Sequence, residues 1–204
     1  MLALPADAPL PPNPALVRTA EVAFPGGRVV RVPGPEPMAD FPANPTQTLL
    51  SPRGDAAAVR FCWDIPKYDS CQVRLVRPGG EVQILTKSDV RHLLWTPDGQ
   101  YLIGAGANTV RLWNLSGGVR TAVPRPVLLG KQQSVSHIGR LWLRDGDLCV
   151  AMNSEVFGPN GGYATGHLMT TTRYALPLLK PLETVILPAR EGQEAPCHMP
   201  QTEP

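Results

Sequence analysis

Apolar and polar residues alternate along several short segments of the chain, and this alternation predicts β-strands rather than helices. The odd positions of residues 57–63 are apolar, as are those of residues 71–75. Residues 21–24 and 28–32 flank Pro25-Gly26-Gly27, which predicts a hairpin because glycines permit the backbone angles of tight turns. The pattern therefore predicts an all-β chain.

A turn motif recurs at nearly constant spacing. Ser51-Pro52-Arg53-Gly54 returns as Thr96-Pro97-Asp98-Gly99 and, more weakly, as Leu143-Arg144-Asp145-Gly146. The glycines are separated by 45 and 47 residues, and an apolar run follows each turn. A repeat of this length, built from short strands, is typical of β-propeller blades.

A second, glycine-rich turn recurs out of phase with the first, at residues 25–27, 78–80 and 116–118. Together the two turns define a blade of four antiparallel strands. We therefore predict a β-propeller-like fold of about three and a half blades in an incomplete ring. The predicted units are a half blade at 17–33 and blades at 47–86, 91–123 and 137–187.

Residues 93–115 resemble a WD-repeat blade. In that family a Ser-Pro-Asp-Gly turn precedes a strand that ends in Trp-Asp, and here residues 96–99 precede Trp113-Asn114. Asn114 replaces the aspartate, and the Gly-His pair of the family is missing, since His92 is out of place. The segment is similar to bacterial TolB-type propellers as well. Either resemblance implies a propeller with a binding role and brings no catalytic residues.

The two ends of the chain are rich in proline, which blocks regular structure. We predict an extended or disordered segment at 1–16, one domain at 17–187 and a tail at 188–204. Both ends offer few apolar anchors, so we expect that their removal changes stability little.

Composition excludes two classes of partner. The 4 Lys and 15 Arg are scattered and the net charge is +2, so the sequence predicts no nucleic-acid partner. No apolar stretch approaches the roughly 18 residues of a membrane span. The compartment stays open between cytoplasmic and exported, because Ala6-Asp7-Ala8 resembles a signal cleavage site whereas Pro9 argues against cleavage.

The four cysteines invite pairing, but side-chain alternation predicts no disulfide. If the apolar faces of residues 57–63 and 71–75 pack together, Cys62 points away from Cys71. A β-bulge between them is the alternative that would bring the sulfurs together. Cys149 lies in an apolar run and is interpreted as a small buried hydrophobe.

No other motif predicts catalysis. Cys197-His198-Met199 places metal-ligand types in adjacent positions, which cannot easily converge on one ion. Residues 158–166 are rich in glycine but lack the Gly-Lys-Ser/Thr ending of a phosphate loop. We therefore predict no metal, no cofactor and no catalytic residues.

Loop lengths suggest where a partner would bind. The turns at one end of the blades are short, and the connections at the other end are long, at residues 33–45, 63–70, 124–136 and 157–167. Binding residues concentrate on such loops. The candidate binding residues are Trp63, Asp64, Lys67, Tyr68, Asp69, Lys131, Tyr163 and His167.

The leading hypothesis is a non-catalytic binding or scaffold module that contacts a protein or a second copy of itself. One alternative is a propeller-type enzyme, such as a hydrolase or lactonase, and another is a piece of a longer propeller. Convergence of Asp64, Asp69, Glu155 and His167 would favour the enzyme. Because an incomplete ring leaves a blade face and strand edges uncovered, we expect association. The alternative is that the N-terminal strands close a small four-bladed ring within one chain.

Overall fold

The structure, a computed structural model, describes residues 16–38, 40–65, 68–86, 90–126, 133–158, 160, 164–188 and 196–197. These residues form fourteen β-strands and no α-helix. The strands build four separate antiparallel sheets, and no sheet in the described part closes on itself. The chain divides into two compact units, one with the described residues of 1–48 and 55–87, the other with those of 49–54 and 88–204.

The first unit contains a two-stranded sheet and a four-stranded sheet. In the larger sheet the strands pair in chain order, so that β3 and β6 are its edges. The strands are β1 (Thr19–Ala23), β2 (Val29–Pro33), β3 (Ala43–Leu50), β4 (Ala57–Ile65), β5 (Tyr68–Val76) and β6 (Val82–Thr86).

The core of this unit lies between the β1–β2 hairpin and one face of the larger sheet. The alternate residues Val22, Val30 and Val32 of the hairpin pack with Val59 and Phe61 of β4, each at most 8% exposed. The hairpin therefore covers the sheet that follows it in sequence, as expected from their adjacency in the chain.

The second unit contains two four-stranded sheets, each again paired in chain order. The last sheet has the longest strands, of 9 to 12 residues. The strands are β7 (His92–Trp95), β8 (Tyr101–Ala105), β9 (Val110–Asn114), β10 (Val119–Ala122), β11 (Gln133–Arg144), β12 (Asp147–Phe157), β13 (Ala164–Ala175) and β14 (Lys180–Pro188).

The core of the second unit joins these two sheets. Ile103 and Leu112 of the β7–β10 sheet pack with Ile138, Val150 and Met152 of the β11–β14 sheet, all at most 2% exposed. The cluster uses one face of the β11–β14 sheet only. The opposite face, which we call the outer face, is turned away from this core.

The first two Pro-x-Gly turns adopt the same geometry. Gly54 N donates to Ser51 O, and Gly99 N donates to Thr96 O, both at 2.9 Å. The third member of the motif differs, because Asp145 and Gly146 alone link β11 to β12. Both have positive φ, which is the geometry of a two-residue hairpin.

The predicted strand groups correspond to the observed sheets, with small shifts at the boundaries. The β1–β2 hairpin covers 19–33, and the three larger sheets cover 43–86, 92–122 and 133–188. Each boundary moves by at most four residues from the prediction. The all-β class is confirmed, whereas closure into a propeller ring is not shown by these sheets.

The prediction of no disulfide is wrong for Cys62 and Cys71. They are direct cross-strand partners of β4 and β5, and their sulfurs are bonded. The register also pairs Phe61 with Gln72 and Arg60 with Val73. Because direct partners project to the same face of a sheet, Phe61 and Val73 project to opposite faces. The two apolar stripes therefore lie on opposite faces, and both faces are buried.

The interpretation of Cys149 as an unbonded hydrophobe is also wrong. Cys149 is fully buried, but its sulfur is bonded to Cys197, which is 1% exposed. One residue of the predicted tail at 188–204 is therefore covalently attached to β12. With both bonds formed, none of the four cysteines is free.

Candidate functional site

Trp63 is held inside the first unit. Its side chain belongs to the core of that unit and is 7% exposed. The indole Nε1 donates to the backbone oxygen of Glu36 at 3.0 Å, which ties the chain after β2 to β4. This contact stabilises the fold and leaves little of the indole for a partner.

The predicted loop at 63–70 is mostly hairpin. Trp63 and Asp64 lie in β4, Tyr68 and Asp69 lie in β5, and Asp64 pairs with Asp69 in the register. The Asp64 side chain is exposed. Lys67, Lys131 and Tyr163 lie outside the described residues.

Among the predicted site residues, His167 lies beside the largest group of polar and aromatic side chains that the structure describes. It lies in β13 and pairs directly with Glu155 of β12. Both side chains are exposed on the outer face, near the connection between these strands. His167 was expected in a loop and instead belongs to a strand, so the sheet fixes its position relative to Glu155.

Further side chains continue this surface across three strands. His137 of β11 pairs with Asn153 of β12, one row from the Glu155–His167 pair. Directly opposite side chains have Cβ atoms about 5 Å apart, so these rows form one contiguous surface. We call this surface the outer patch; it consists of Val135, His137, Arg140, Trp142, Asn153, Glu155 and His167.

The patch contains a stacked cation and a large aromatic ring. The Arg140 guanidinium carbon lies 5.4 Å from the centre of the Trp142 ring, within the range of a cation–π contact. Arg140 is exposed and Trp142 is partly exposed. Val135, 65% exposed, adds an apolar contact at the end of the same strand.

A bulge in β11 shapes the patch. The register shifts between Ile138 and Arg140, and Gly139 occupies the bulge. A Cβ atom at Gly139 would lie 2.6 Å from Asn153 Nδ2. Glycine therefore lets the Asn153 amide lie close over the β11 backbone, as is typical of glycine at such irregularities.

Of the seven patch residues, sequence reasoning named only His167 as a binding candidate. Glu155 was named beside His167 in the enzyme hypothesis alone, and nothing linked His137 to either residue. The signal was available in the alternation of β11, where Val135 and His137 occupy every second position. Only the register shows that they share a face with Glu155 and His167.

A shallow groove of about 280 Å³ lies elsewhere in the second unit, between the β9–β10 hairpin and Pro177. Among the described residues that line it, Arg120 is the ionic one. The Asn114 oxygen at its edge already accepts hydrogen bonds from the N–H and hydroxyl of Ser116, both at 2.9 Å. Ligand pockets of proteins usually exceed 300 Å³ and bring several polar groups together, so the outer patch is the stronger candidate.

Within the described ranges, no group of three or more His, Cys, Asp or Glu side chains is arranged to hold a metal ion. The same residues contain no helix with the length and apolar character needed to cross a bilayer. Of the four residues in the enzyme hypothesis, Asp64 pairs with Asp69 across β4 and β5, and Glu155 pairs with His167 across β12 and β13.

No protein-family model matches the chain, and no curated protein is similar to it. The resemblance of residues 93–115 to WD and TolB-type repeats thus remains a prediction from their sequence alone.

Proposed function

We propose that this chain is a non-catalytic, propeller-like binding module that recognises a protein partner through the outer patch. The observation that carries the proposal is the register of β11, β12 and β13, which gathers a stacked Arg–Trp pair, two imidazoles, a carboxylate and an amide on one exposed face.

The chemistry of the patch fits a protein surface better than a small molecule. It extends over three strands of the sheet. Arg and Trp are enriched among the residues that dominate protein interfaces, because they combine apolar area with hydrogen-bond donors. The Glu155 carboxylate and the Asn153 amide supply acceptors beside them.

The strands hold the patch in a fixed geometry. The inner sides of β11 and β12 carry Ile138, Val150 and Met152, which are buried in the core of the second unit. A surface on such strands loses little conformational freedom when a partner binds, which favours affinity.

The propeller-like architecture is part of the proposal. It is supported by three successive four-stranded antiparallel meanders and by the repeated turn at Ser51–Gly54 and Thr96–Gly99. The two disulfides favour an oxidising compartment, since cytosolic proteins keep most thiols reduced.

A charge-reversal experiment tests the proposal. Arg140→Glu/Glu155→Arg exchanges the two charges of the patch and keeps the net charge. The matched control is Glu21→Arg/Arg31→Glu, which exchanges an exposed ion pair of 3.0 Å on the β1–β2 hairpin. Both variants are first checked for a wild-type circular dichroism spectrum and melting temperature.

The immobilised proteins are then exposed to extracts of the source cells, and the retained proteins are quantified by mass spectrometry. A partner retained by the wild type and the control is purified and titrated against all three. We expect the patch variant to bind it at least about tenfold more weakly. Equal affinity for all three, or no protein retained in preference to a blank surface, contradicts the proposal.

A further inference from the structure

The two cysteines of the Cys62–Cys71 disulfide lie in different surroundings. Cys62 on β4 is partly exposed, whereas Cys71 on β5 is only 5% exposed. Val73, two residues along β5 and on the same face as Cys71, is fully buried. A thiolate from solution therefore reaches the sulfur of Cys62 more readily than that of Cys71.

Thr46 supplies a hydrogen bond to the more exposed sulfur. Its hydroxyl, on β3, lies 3.3 Å from Cys62 Sγ. A disulfide sulfur carries no proton, so the hydroxyl is the donor in this contact. The same hydroxyl lies 3.3 Å from the backbone oxygen of Arg60, so its single proton has two acceptors. Once the disulfide is reduced, a thiolate at Cys62 is the stronger acceptor, because it carries a full negative charge.

Arg60 strengthens the hydrogen bond from Thr46. Its Nε donates to Thr46 Oγ1 at 3.0 Å, so the guanidinium charge polarises the hydroxyl toward the sulfur. Arg60 and Cys62 are alternate residues of β4 and share a face. A positive group beside a cysteine favours the thiolate, which is its nucleophilic form. Asp64, paired with Asp69 in the next row of this face, opposes the effect, but Asp64 is exposed and its charge is screened by solvent.

We propose that Cys62–Cys71 is a reversible thiol–disulfide exchange site for a small thiol, in which Cys62 is the exchanging sulfur and Cys71 is the resolving sulfur. Thr46 stabilises the Cys62 thiolate directly, and Arg60 acts through Thr46 as a positioning residue. The proposal does not depend on the proposed binding function.

The exchange proceeds in two balanced steps. The thiolate of the small thiol attacks Cys62 Sγ, the bond between the two cysteines breaks, and Cys71 leaves as a thiolate that takes up a proton. A second thiolate then attacks the sulfur of the small thiol in this mixed disulfide, and Cys62 leaves as a thiolate. The protein gains two electrons and two protons, and the two small thiols are released as their disulfide. Oxidation follows the same steps in reverse.

The order of sulfur exchange is tested on the wild-type full chain. The folded protein is reduced with dithiothreitol, freed of reductant, exposed to oxidised glutathione for increasing times and quenched in acid. Tryptic mapping reads Cys62 in peptide 61–67 and Cys71 in peptide 68–74. We expect at least about tenfold more glutathione adduct on the first peptide than on the second, followed by conversion of the adduct into the linked peptides. Equal adducts on the two peptides overturn the proposal.

The Cys149–Cys197 disulfide is the internal control. Its two residues are 0% and 1% exposed, so we expect dithiothreitol to reduce it at least about tenfold more slowly than Cys62–Cys71 in the folded protein. The two rates are read in the same digests, from the linked peptides of each pair. Equal rates of reduction, or a Cys62–Cys71 bond that stays oxidised until the protein unfolds, overturn the proposal.

The part of Thr46 is tested in a Cys71→Ser background, in which Cys62 remains a thiol. The rate of its alkylation by iodoacetamide is measured against pH, after each variant has been checked for the melting temperature of its parent. Thr46→Val should move the pH profile upward and slow alkylation at pH 7 by about three- to tenfold, whereas Thr46→Ser keeps the hydroxyl and should keep the profile. Arg60→Met should shift the profile in the same direction as Thr46→Val. The matched control is Thr48→Val, which changes another exposed threonine of β3 and should leave the profile unchanged.

A merely structural part for Thr46 would change the alkylation rate by the same factor at every pH. An unchanged pH profile in Thr46→Val or in Arg60→Met therefore overturns the proposal. The glutathione experiment on the wild type needs no substitution, so it decides the order of exchange even if a variant fails to fold.

Discussion

Gly104 offers the sharpest test of how the β7–β10 sheet is packed. It lies in β8, is buried, and pairs with Leu93 of β7. A Cβ atom there would lie 2.6 and 2.8 Å from Cζ3 and Cη2 of Trp113, and 3.2 Å from Leu93 Cδ2. The Trp113 ring therefore packs directly on the bare backbone, and alanine cannot enter without moving it.

The sign of the Gly104→Ala effect is decided by this overlap. In the unfolded chain, alanine has less conformational freedom than glycine, which favours the variant by about 0.4–1 kcal/mol where space allows. Overpacking of a buried site costs about 1–3 kcal/mol. We therefore expect a net loss of about 1–2 kcal/mol in the free energy of unfolding, which lowers Tm by roughly 3–6 °C.

Urea and thermal unfolding followed by circular dichroism and tryptophan fluorescence measure the loss. Gly79→Ala is the control, because its Cβ would meet nothing closer than 3.9 Å; without overlap it should keep its stability or gain up to about 1 kcal/mol. The double variant Gly104→Ala/Trp113→Phe has a smaller ring at position 113, which relieves the overlap. Its loss in free energy of unfolding should therefore be smaller than the sum of the losses of the two single variants. A Gly104→Ala protein as stable as the wild type refutes the packing argument.

Two further predictions concern single contacts. Trp63→Phe removes the hydrogen bond to Glu36 O. Urea titration should show a loss of about 1 kcal/mol in stability, with no loss of affinity for the partner. Weaker partner binding at unchanged stability would show that Trp63 belongs to the binding site. Hydrogen bonds from the Thr96 hydroxyl and the Gln100 N–H hold the pKa of Asp98 below its usual value. The ionised carboxylate therefore stabilises the fold at pH values above the ordinary carboxyl pKa of about 4, and this stabilisation is lost as the pH falls. Asp98→Asn should therefore destabilise more at pH 7 than at pH 3, and an equal effect at both would contradict this.

The positions of the strands could be predicted from the sequence because turns depend on local chemistry. Proline at the second position and glycine at the fourth suit the backbone angles of the turns at Ser51–Gly54 and Thr96–Gly99. The geometry of such a turn depends on the types of its own four residues. The predicted boundaries therefore differ from the observed sheets by at most four residues.

The cysteine pairing could not be predicted in the same way. Alternation shows which residues of one strand share a face, but the register decides which face of the next strand they join. Phe61 and Val73 each belong to an apolar stripe, yet they project to opposite sides. The prediction assumed that only one face of the sheet is buried, and this assumption placed Cys62 and Cys71 on opposite faces.

The candidate site shows the same division. The sequence alone determined an all-β chain, its repeated turns and a histidine at position 167, because these follow from residue types and short spacings. The tertiary structure decided that His167, Glu155 and His137 share one exposed face, and that Cys149 is bonded 48 residues away to Cys197. Such contacts join distant parts of the chain through the pairing of strands and the packing of their inner faces, which no local pattern specifies.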